Sequence, residues 1–329
     1  MKKLTMSFVA LLLFATACQK HANQNEPDEI VSAIGERKCA SHEILEQQMA
    51  EDPARARAMQ ELERFTQQYV QNQEARKNRA NATINIPVVV HMVYNTDAQK
   101  LDVAQIQSQI DVLNEDFNLR NSDANLVNQN PDFAAVQSNV GITFTLSEIV
   151  WKKTSKKSFG TDDGVKYTRR GGSDAVDPTN KLNVWVCNLG QNLLGYAQFP
   201  GGNPATDGIV VLYSAFGSIK KYPSGTYVGN YDLGRTATHE VGHWLNLRHI
   251  WGDATCGNDF VDDTPVHNTS NTGCKDYSHR STCAGTPLEM WMNYMDYTYD
   301  KCMYMFTNDQ SARMHAVFAA GRPRASFAN

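Results

Sequence analysis

Five consecutive residues, His239-Glu240-Val241-Gly242-His243, carry the clearest chemistry in this chain of 329 residues. On a helix, side chains four apart share a face, so His239 and His243 can offer two imidazole nitrogens to one metal ion. Glu240, next to the first of them, can reach a water on that metal and act as general base. A third ligand cannot come from the same helix without a turn. The spacing predicts that the chain leaves the helix at Asn246 and brings His249 back to the same point. Such a turn needs a residue at ease in the left-handed region, normally glycine, with asparagine the next most tolerant. Three neutral imidazoles leave one position of a tetrahedral Zn²⁺ open for water, which is a catalytic rather than a structural arrangement.

The spacing H-E-x-x-H-x-x-N-x-x-H resembles that of the metzincin metallopeptidases. The longer string HEVGHWLNLRHIWGD, with Asn293-Tyr294-Met295-Asp296-Tyr297 downstream, resembles the pappalysin branch. The resemblance runs from Ile84 to Phe318. It implies an α+β fold, a metzincin-type zincin: a twisted mixed β-sheet with backing helices in the upper half, an active-site helix, an irregular lower half stabilised by disulfides and calcium, and a C-terminal helix. Met295 then resembles the Met-turn, an apolar floor beneath the metal. Tyr297 matches a tyrosine whose phenol could donate to the oxyanion. The activity implied is zinc-dependent hydrolysis of protein or peptide substrates. The alternative from another class is a surface-anchored binding protein that keeps the fold without turnover. Intact Glu240 and Tyr297 speak against it, since a binder has no need of a general base.

The elements that must position these residues follow in chain order. Lys2 and Lys3 precede an apolar run, Phe8 to Ala15, too short to span a bilayer and ending in Ala15-Thr16-Ala17-Cys18. Residues 1–17 therefore read as a signal peptide. It resembles a bacterial lipoprotein signal with Cys18 as the lipid anchor, plain cleavage after Ala17 being the alternative. The protein is expected to be secreted or held on a bacterial outer membrane or cell surface, where disulfides form. Any membrane link is through that lipid, and a net charge of −4 gives no electrostatic case for nucleic acid. A monomer is expected.

Residues 18–79 are assigned to a polar tether and a helical pro-segment, and 80–329 to the catalytic domain. Cys39, in Arg37-Lys38-Cys39-Ala40, resembles the cysteine switch of metzincin zymogens, a thiolate filling the open metal position. The alternatives are an unpaired thiol or a partner for Cys187. Asp52-Pro53 is a sound helix start, and Met59, Leu62, Phe65 and Tyr69 form a narrow apolar stripe that needs a surface to lie on. Arg76, Lys77 and Arg79 follow as a basic link suited to cleavage.

In the main domain, strands are expected at Ile86–Tyr94, around Ile142, Phe144 and Leu146, and at Leu182–Val186 and Ile209–Tyr213. Asp102 is expected to cap a helix carrying Ile106, Ile110, Leu113 and Phe117, and Thr236 or Thr238 to cap the active-site helix. Gly195-Tyr196-Ala197-Gln198 falls where the metzincin fold carries its edge strand, to which a peptide substrate could add as an extra strand. Thr307-Asn308-Asp309-Gln310 opens a last helix with a capping-box pattern, from which Met314, Val317 and Phe318 can pack beneath the site.

Between Trp251 and Asp300 the composition turns to Gly, Asp, Asn, Thr and Cys with little periodicity, and such a stretch needs added constraints. Cys256, Cys274, Cys283 and Cys302 allow three pairings. The resemblance favours Cys256–Cys283 with Cys274–Cys302; a structural zinc is the alternative and lacks any C-x-x-C pair. Asp259, Asp262, Asp263 and Thr264 offer hard oxygen ligands suited to Ca²⁺, and the resemblance implies structural calcium here. The residues just after a Met-turn commonly wall the pocket for the side chain following the scissile bond. Asp300 at its floor would favour Arg or Lys by paired, charge-assisted bonds, whereas Lys301 turned inward would favour Asp or Glu. Asp300 and a basic residue are the preferred choice.

Overall fold

A computed structural model of the chain describes residues 35–72 and 84–328, together with Met1. The signal stretch that follows Met1, Cys18, and the Arg76, Lys77 and Arg79 link lie outside the described residues. β1 (Ile84–Tyr94) is Val-rich and covered on both faces, with Val88, Val89 and Val90 all buried, as a central strand of a parallel sheet should be. β2 (Ile142–Lys153), β3 (Leu182–Cys187), β4 (Gly195–Ala197) and β5 (Ile209–Leu212) complete one five-stranded sheet in the order β2-β1-β3-β5-β4. All pairings are parallel except that of β4 with β5, so the sheet is mixed and β4 is an antiparallel edge.

Among the described residues two helices precede the sheet: α1 (Ser41–Glu51) and α2 (Pro53–Gln71). Asp52 caps α2 by accepting from Ala54 N at 2.8 Å. The buried stripe of α2 is Met59, Leu62 and Thr66, while Phe65 and Tyr69 are half-buried. Phe65 instead takes the Arg322 guanidinium over its ring at 4.4 Å.

α3 (Val103–Asp116) and α5 (Arg235–Trp244) back the sheet, and α4 (Pro131–Val136) is a short connector. Ile106, Ile110, Leu113 and Phe117 are all buried against the sheet, which accounts for their helical spacing. The expected caps of these helices differ. Asp102 sits at the N-cap of α3 but does not cap it; its carboxylate accepts from Tyr222 Oη at 2.7 Å. α5 begins at Gly234, in the left-handed region at φ 83°, and neither Thr236 nor Thr238 caps it. Thr236 Oγ1 accepts from Arg37 at 3.2 Å and Thr238 donates to Asp116 at 2.7 Å. In each case a tertiary partner has taken the polar group that a helix end would otherwise use.

Beyond Ile250 the described chain forms no regular strand until α6 (Asn308–Ala316), which carries the full Thr307–Gln310 capping box. Disulfides join Cys256 to Cys283 and Cys274 to Cys302, each across a Cα–Cα distance of 5.7 Å. Buried carboxylates serve as further ties. Asp296 accepts from Asn271 N at 2.7 Å and Tyr297 N at 2.8 Å, and Glu289 from Asn268 N at 2.7 Å. Cross-links and side chain-to-backbone bonds thus hold a region that has too few ladder bonds to hold itself. Cys187 lies buried in β3 and Cys39 lies in the cleft; both are free thiols, so the pairing weighed for them does not form.

Candidate metal centre

α5 places His239 and His243 one turn apart on its face toward the lower half, and every residue of the helix is buried. The chain leaves α5 at Leu245, and Asn246 adopts φ 73°, the left-handed turn its identity allows. That turn returns His249, so that His243 Nε2 lies 3.1 Å from both His239 Nε2 and His249 Nε2.

The outer nitrogen of each ring fixes this direction. His239 Nδ1 donates to Tyr294 O at 2.7 Å, His243 Nδ1 to Leu247 O at 2.8 Å, and His249 Nδ1 to Asp253 Oδ1 at 2.5 Å. A carbonyl can only accept, so the proton sits on Nδ1 and the Nε2 lone pairs of His239 and His243 face inward. Burial first, and then neighbouring imidazoles, hold His239 and His243 well below the usual imidazole range, which keeps them neutral. The inward lone pairs of His239 and His243, 3.1 Å apart and with His249 Nε2 as near to His243, repel one another unless a cation lies among them. Tetrahedral Zn–N bonds of about 2.0–2.1 Å put neighbouring nitrogens roughly 3.3 Å apart, close to the spacing observed. The donor set fits zinc.

Two glycines let the surroundings close in. A Cβ on Gly242 would collide with Met295 Sδ, so the helix can rest on that methionine only through a glycine. A Cβ on Gly195 would lie 2.8 Å from Glu240 Oε1, so the edge strand passes the carboxylate only because it has none. Met295 is fully buried, and the Trp251 ring stacks on His249 at 4.3 Å and 8°.

The stretch Arg37 to Ser41 enters this cleft, bridging to Gly195 at Cys39 and turning into α1 at Ser41, with Arg37, Cys39 and Ser41 pointing in. Cys39 Sγ and one nitrogen from each of His239, His243 and His249 all lie within 4.8 Å of one another, the one such group of metal-binding side chains among the described residues. Tyr297 Oη accepts from Cys39 N at 3.2 Å and donates to Cys39 O at 3.1 Å. Glu240 Oε2 accepts from Cys39 Sγ at 3.3 Å and from Ser41 Oγ at 3.0 Å. Burial pushes the Glu240 carboxyl up to about 8, and those two hydrogen bonds work the other way. Arg37 Nη2 meets Asp300 Oδ1 at 2.7 Å, with neither side chain more than 1% exposed. The other oxygen of Asp300 accepts from Leu233 N at 2.9 Å and Arg235 N at 3.2 Å.

The stretch also adds to the edge strand. Lys38 O accepts from Leu194 N at 3.0 Å, Ala40 N donates to Gly195 O at 3.3 Å, and Ala197 N donates to Ser41 Oγ at 2.8 Å. Tyr196 differs from expectation: its ring is buried, with the Lys166 ammonium 5.0 Å from its centre, so it faces the core and not the cleft. Period-two alternation along the strand sends its side chain inward. Lys301 is corrected likewise. Residues 300–302 form a single 3₁₀ turn, which rotates neighbours well apart, leaving Asp300 buried and Lys301 exposed.

The acidic loop does not gather its carboxylates around one point. Asp259 accepts from Val261 N at 3.1 Å and Thr264 Oγ1 at 2.8 Å. Asp263 accepts from Thr307 Oγ1 at 2.5 Å and Asp309 N at 2.9 Å, at the start of α6, and Asp262 is exposed. Burial still pushes the Asp259 carboxyl up to about 7. Sequence reasoning missed Arg37, Ser41 and Asp253 as site residues. Arg37 stands two residues before Cys39, and alternation along the chain is the one signal that could have found it; Ser41 opens α1, and no local pattern marks its hydroxyl.

A family model described as pregnancy-associated plasma protein-A, of peptidase family M43, matches residues 172–319. An extracellular metalloprotease of Arthroderma benhamiae is 32% identical over 257 residues, 75% of this chain and 76% of the relative. One of Neurospora crassa is 31% identical over 258 residues, 75% of this chain and 79% of the relative. Among solved structures, mature mirolysin of Tannerella forsythia in complex with a cleaved peptide is 44% identical at a TM-score of 0.70, covering 75% of this chain and 96% of that one. A promirolysin mutant from the same bacterium is 40% identical at a TM-score of 0.77, covering 88% of this chain and 97% of that one. With its mixed sheet, backing helices and disulfide-tied lower half, this chain is a metalloprotease that belongs to the pappalysin family of metzincins.

Proposed function

We propose that the chain is a secreted zinc endopeptidase made as a zymogen, with residues 18–79 as the removable pro-segment and 80–329 as the catalytic domain. The observation that carries this is the convergence of three imidazoles and a thiol on one point beside a buried glutamate. Zinc held by His239, His243 and His249 would lower the pKa of a water and polarise the scissile carbonyl. Glu240 takes the proton of the attacking water and passes it to the leaving amine. Tyr297 donates a hydrogen bond from its phenol to the oxyanion. Gly195 and Ala197 offer their outward main-chain groups to a substrate strand.

In the described state all of these groups are engaged by residues 37–41: Cys39 at the histidines, Ser41 on Glu240, Cys39 main chain on Tyr297. That occupancy supports Cys39 as the zymogen switch. The longer match to promirolysin than to mature mirolysin, 88% against 75% of this chain, supports a pro-form as well. Arg37 on Asp300 supports a preference for Arg or Lys just after the scissile bond, since a buried carboxylate that accepts one guanidinium can accept another.

Structural Ca²⁺ in the loop that carries Asp259, Asp262, Asp263 and Thr264 belongs to the same proposal, and would have to draw together side chains that the described state holds apart. So do a signal over 1–17, a lipid on Cys18 and a monomeric mature domain acting on proteins or peptides. Casein digestion after removal of the N-terminal segment, with and without a chelator, tests the core of it. Chelator-sensitive cleavage with new N-termini that are mainly Arg or Lys is expected. Cleavage indifferent to chelator would sink the zinc assignment, and N-termini that are mainly Asp or Glu would sink the role of Asp300.

A further inference from the structure

Arg235 opens α5, yet the residue is only 6% exposed and its guanidinium reaches across three parts of the molecule. Nη1 donates to Tyr294 Oη at 3.0 Å and to Met303 O at 2.6 Å. Nη2 lies 3.3 Å from Asp123 Oδ1, and Nε lies 3.2 Å from Asp116 Oδ2. The guanidinium also stands over the Tyr294 ring, 5.3 Å from its centroid. Asp116 ends α3, Asp123 follows it, and Tyr294 and Met303 belong to the lower half.

Tyr294 is the residue whose carbonyl receives His239 Nδ1 at 2.7 Å. That bond decides which nitrogen of His239 is protonated and where the other points. The Tyr294 side chain is therefore gripped at its hydroxyl and its face by Arg235, while its carbonyl aims a candidate metal ligand one helical turn further along α5.

We infer that Arg235 is a positioning residue for the metal centre, acting through Tyr294 on His239. This rests on the zinc reading proposed above. Only a planar fork can serve the Tyr294 hydroxyl, the Met303 carbonyl and two carboxylates together, so lysine is not an equivalent there. Removing a group that orients a ligand typically costs about 10–100-fold in metal affinity.

The experiment follows zinc transfer from the full chain to a chromogenic chelator, alongside thermal unfolding, for wild type, Arg235→Lys, Tyr294→Phe and Arg324→Lys. Arg324 is the control. It is equally buried, pairs with Asp207 at 2.6 Å and holds Trp244 O at 2.8 Å at the other end of α5, but touches nothing that orients a histidine. Arg235→Lys is expected to lose zinc about 10–100-fold faster. Tyr294→Phe should shift the same way by less, and Arg324→Lys should melt earlier with zinc loss within about twofold of wild type. Zinc loss from Arg235→Lys no faster than from Arg324→Lys would overturn the inference and leave Arg235 a structural residue. If Arg235→Lys does not fold, Tyr294→Phe decides, and unchanged zinc loss there overturns it equally. A wild-type chain that binds no zinc would instead overturn the metal reading itself.

Discussion

The stretch 37–41 and the helix α2 belong to one N-terminal segment, but they grip the rest of the chain by different means. The stretch pairs with the sheet edge at Cys39 and turns into α1 at Ser41, and residues 37, 39 and 41 all face the cleft. Each meets a group assigned to the chemistry: Asp300, the histidines and Glu240. α2 touches none of these. It buries Met59 and Leu62 with Leu45 and Phe199 in a small apolar cluster, and Glu63 takes both ends of the Arg313 guanidinium. Blocking needs a few polar groups at fixed places, whereas holding needs area. The difference teaches that the two tasks can be lost separately.

Substitutions can break that separation or sharpen it. The largest effect is expected from Arg37→Ala with Cys39→Ala. The uncleaved chain should then hydrolyse peptides, with the loss of the Arg37 bond alone contributing about 10–100-fold to opening, at 1.5–3 kcal/mol for a hydrogen bond to a charged group. Peptide hydrolysis by the uncleaved double variant no greater than by wild type would contradict the blocking role. Leu62→Ala comes next. It should destabilise the packing of α2 by about 2–5 kcal/mol, read as faster hydrogen exchange over 53–71, while hydrolysis by the uncleaved chain rises far less than in the double variant. Equal activation by both would merge the two tasks into one. Glu63→Ala should act in the same direction as Leu62→Ala by about 1.5–3 kcal/mol, because it strips Arg313 of its carboxylate but leaves Asn246 O to accept from Arg313 Nε at 2.8 Å.

What was legible in the sequence divides along similar lines. Periodic features survived: the α3 stripe, the β1 run, the H-E-x-x-H face and the Asn246 turn each follow from local geometry that a short window contains. The α2 stripe was half-legible. Met59 and Leu62 are buried as their spacing suggests, but Thr66 replaces Phe65 in the buried row because Arg322, far along the chain, offers Phe65 a partner. Polar residues were the least legible. Thr236 lies in the first turn of α5 and reads as a cap, yet its hydroxyl bonds Arg37, while the Ser41 hydroxyl at the start of α1 bonds Glu240. Arg37 and Asp300 are separated by 263 positions, and no local pattern announces such a pair. The lower half was legible only as a need for cross-links. Its cysteines allowed three pairings by count, and the resemblance rather than the spacing pointed to the pair of bonds found.

The central claim is that one cluster of three histidines holds the metal while Glu240, beside them, moves the proton. Zinc content and casein hydrolysis of the activated Glu240→Ala variant test it most directly, with His243→Ala beside it. The account predicts about one zinc per chain with Glu240→Ala and hydrolysis reduced at least ~10²-fold, since general acid–base help is typically worth ~10²–10⁴-fold. It predicts loss of both zinc and activity with His243→Ala. A Glu240→Ala enzyme that keeps more than about a hundredth of wild-type activity, or a His243→Ala chain that keeps its zinc, would contradict it.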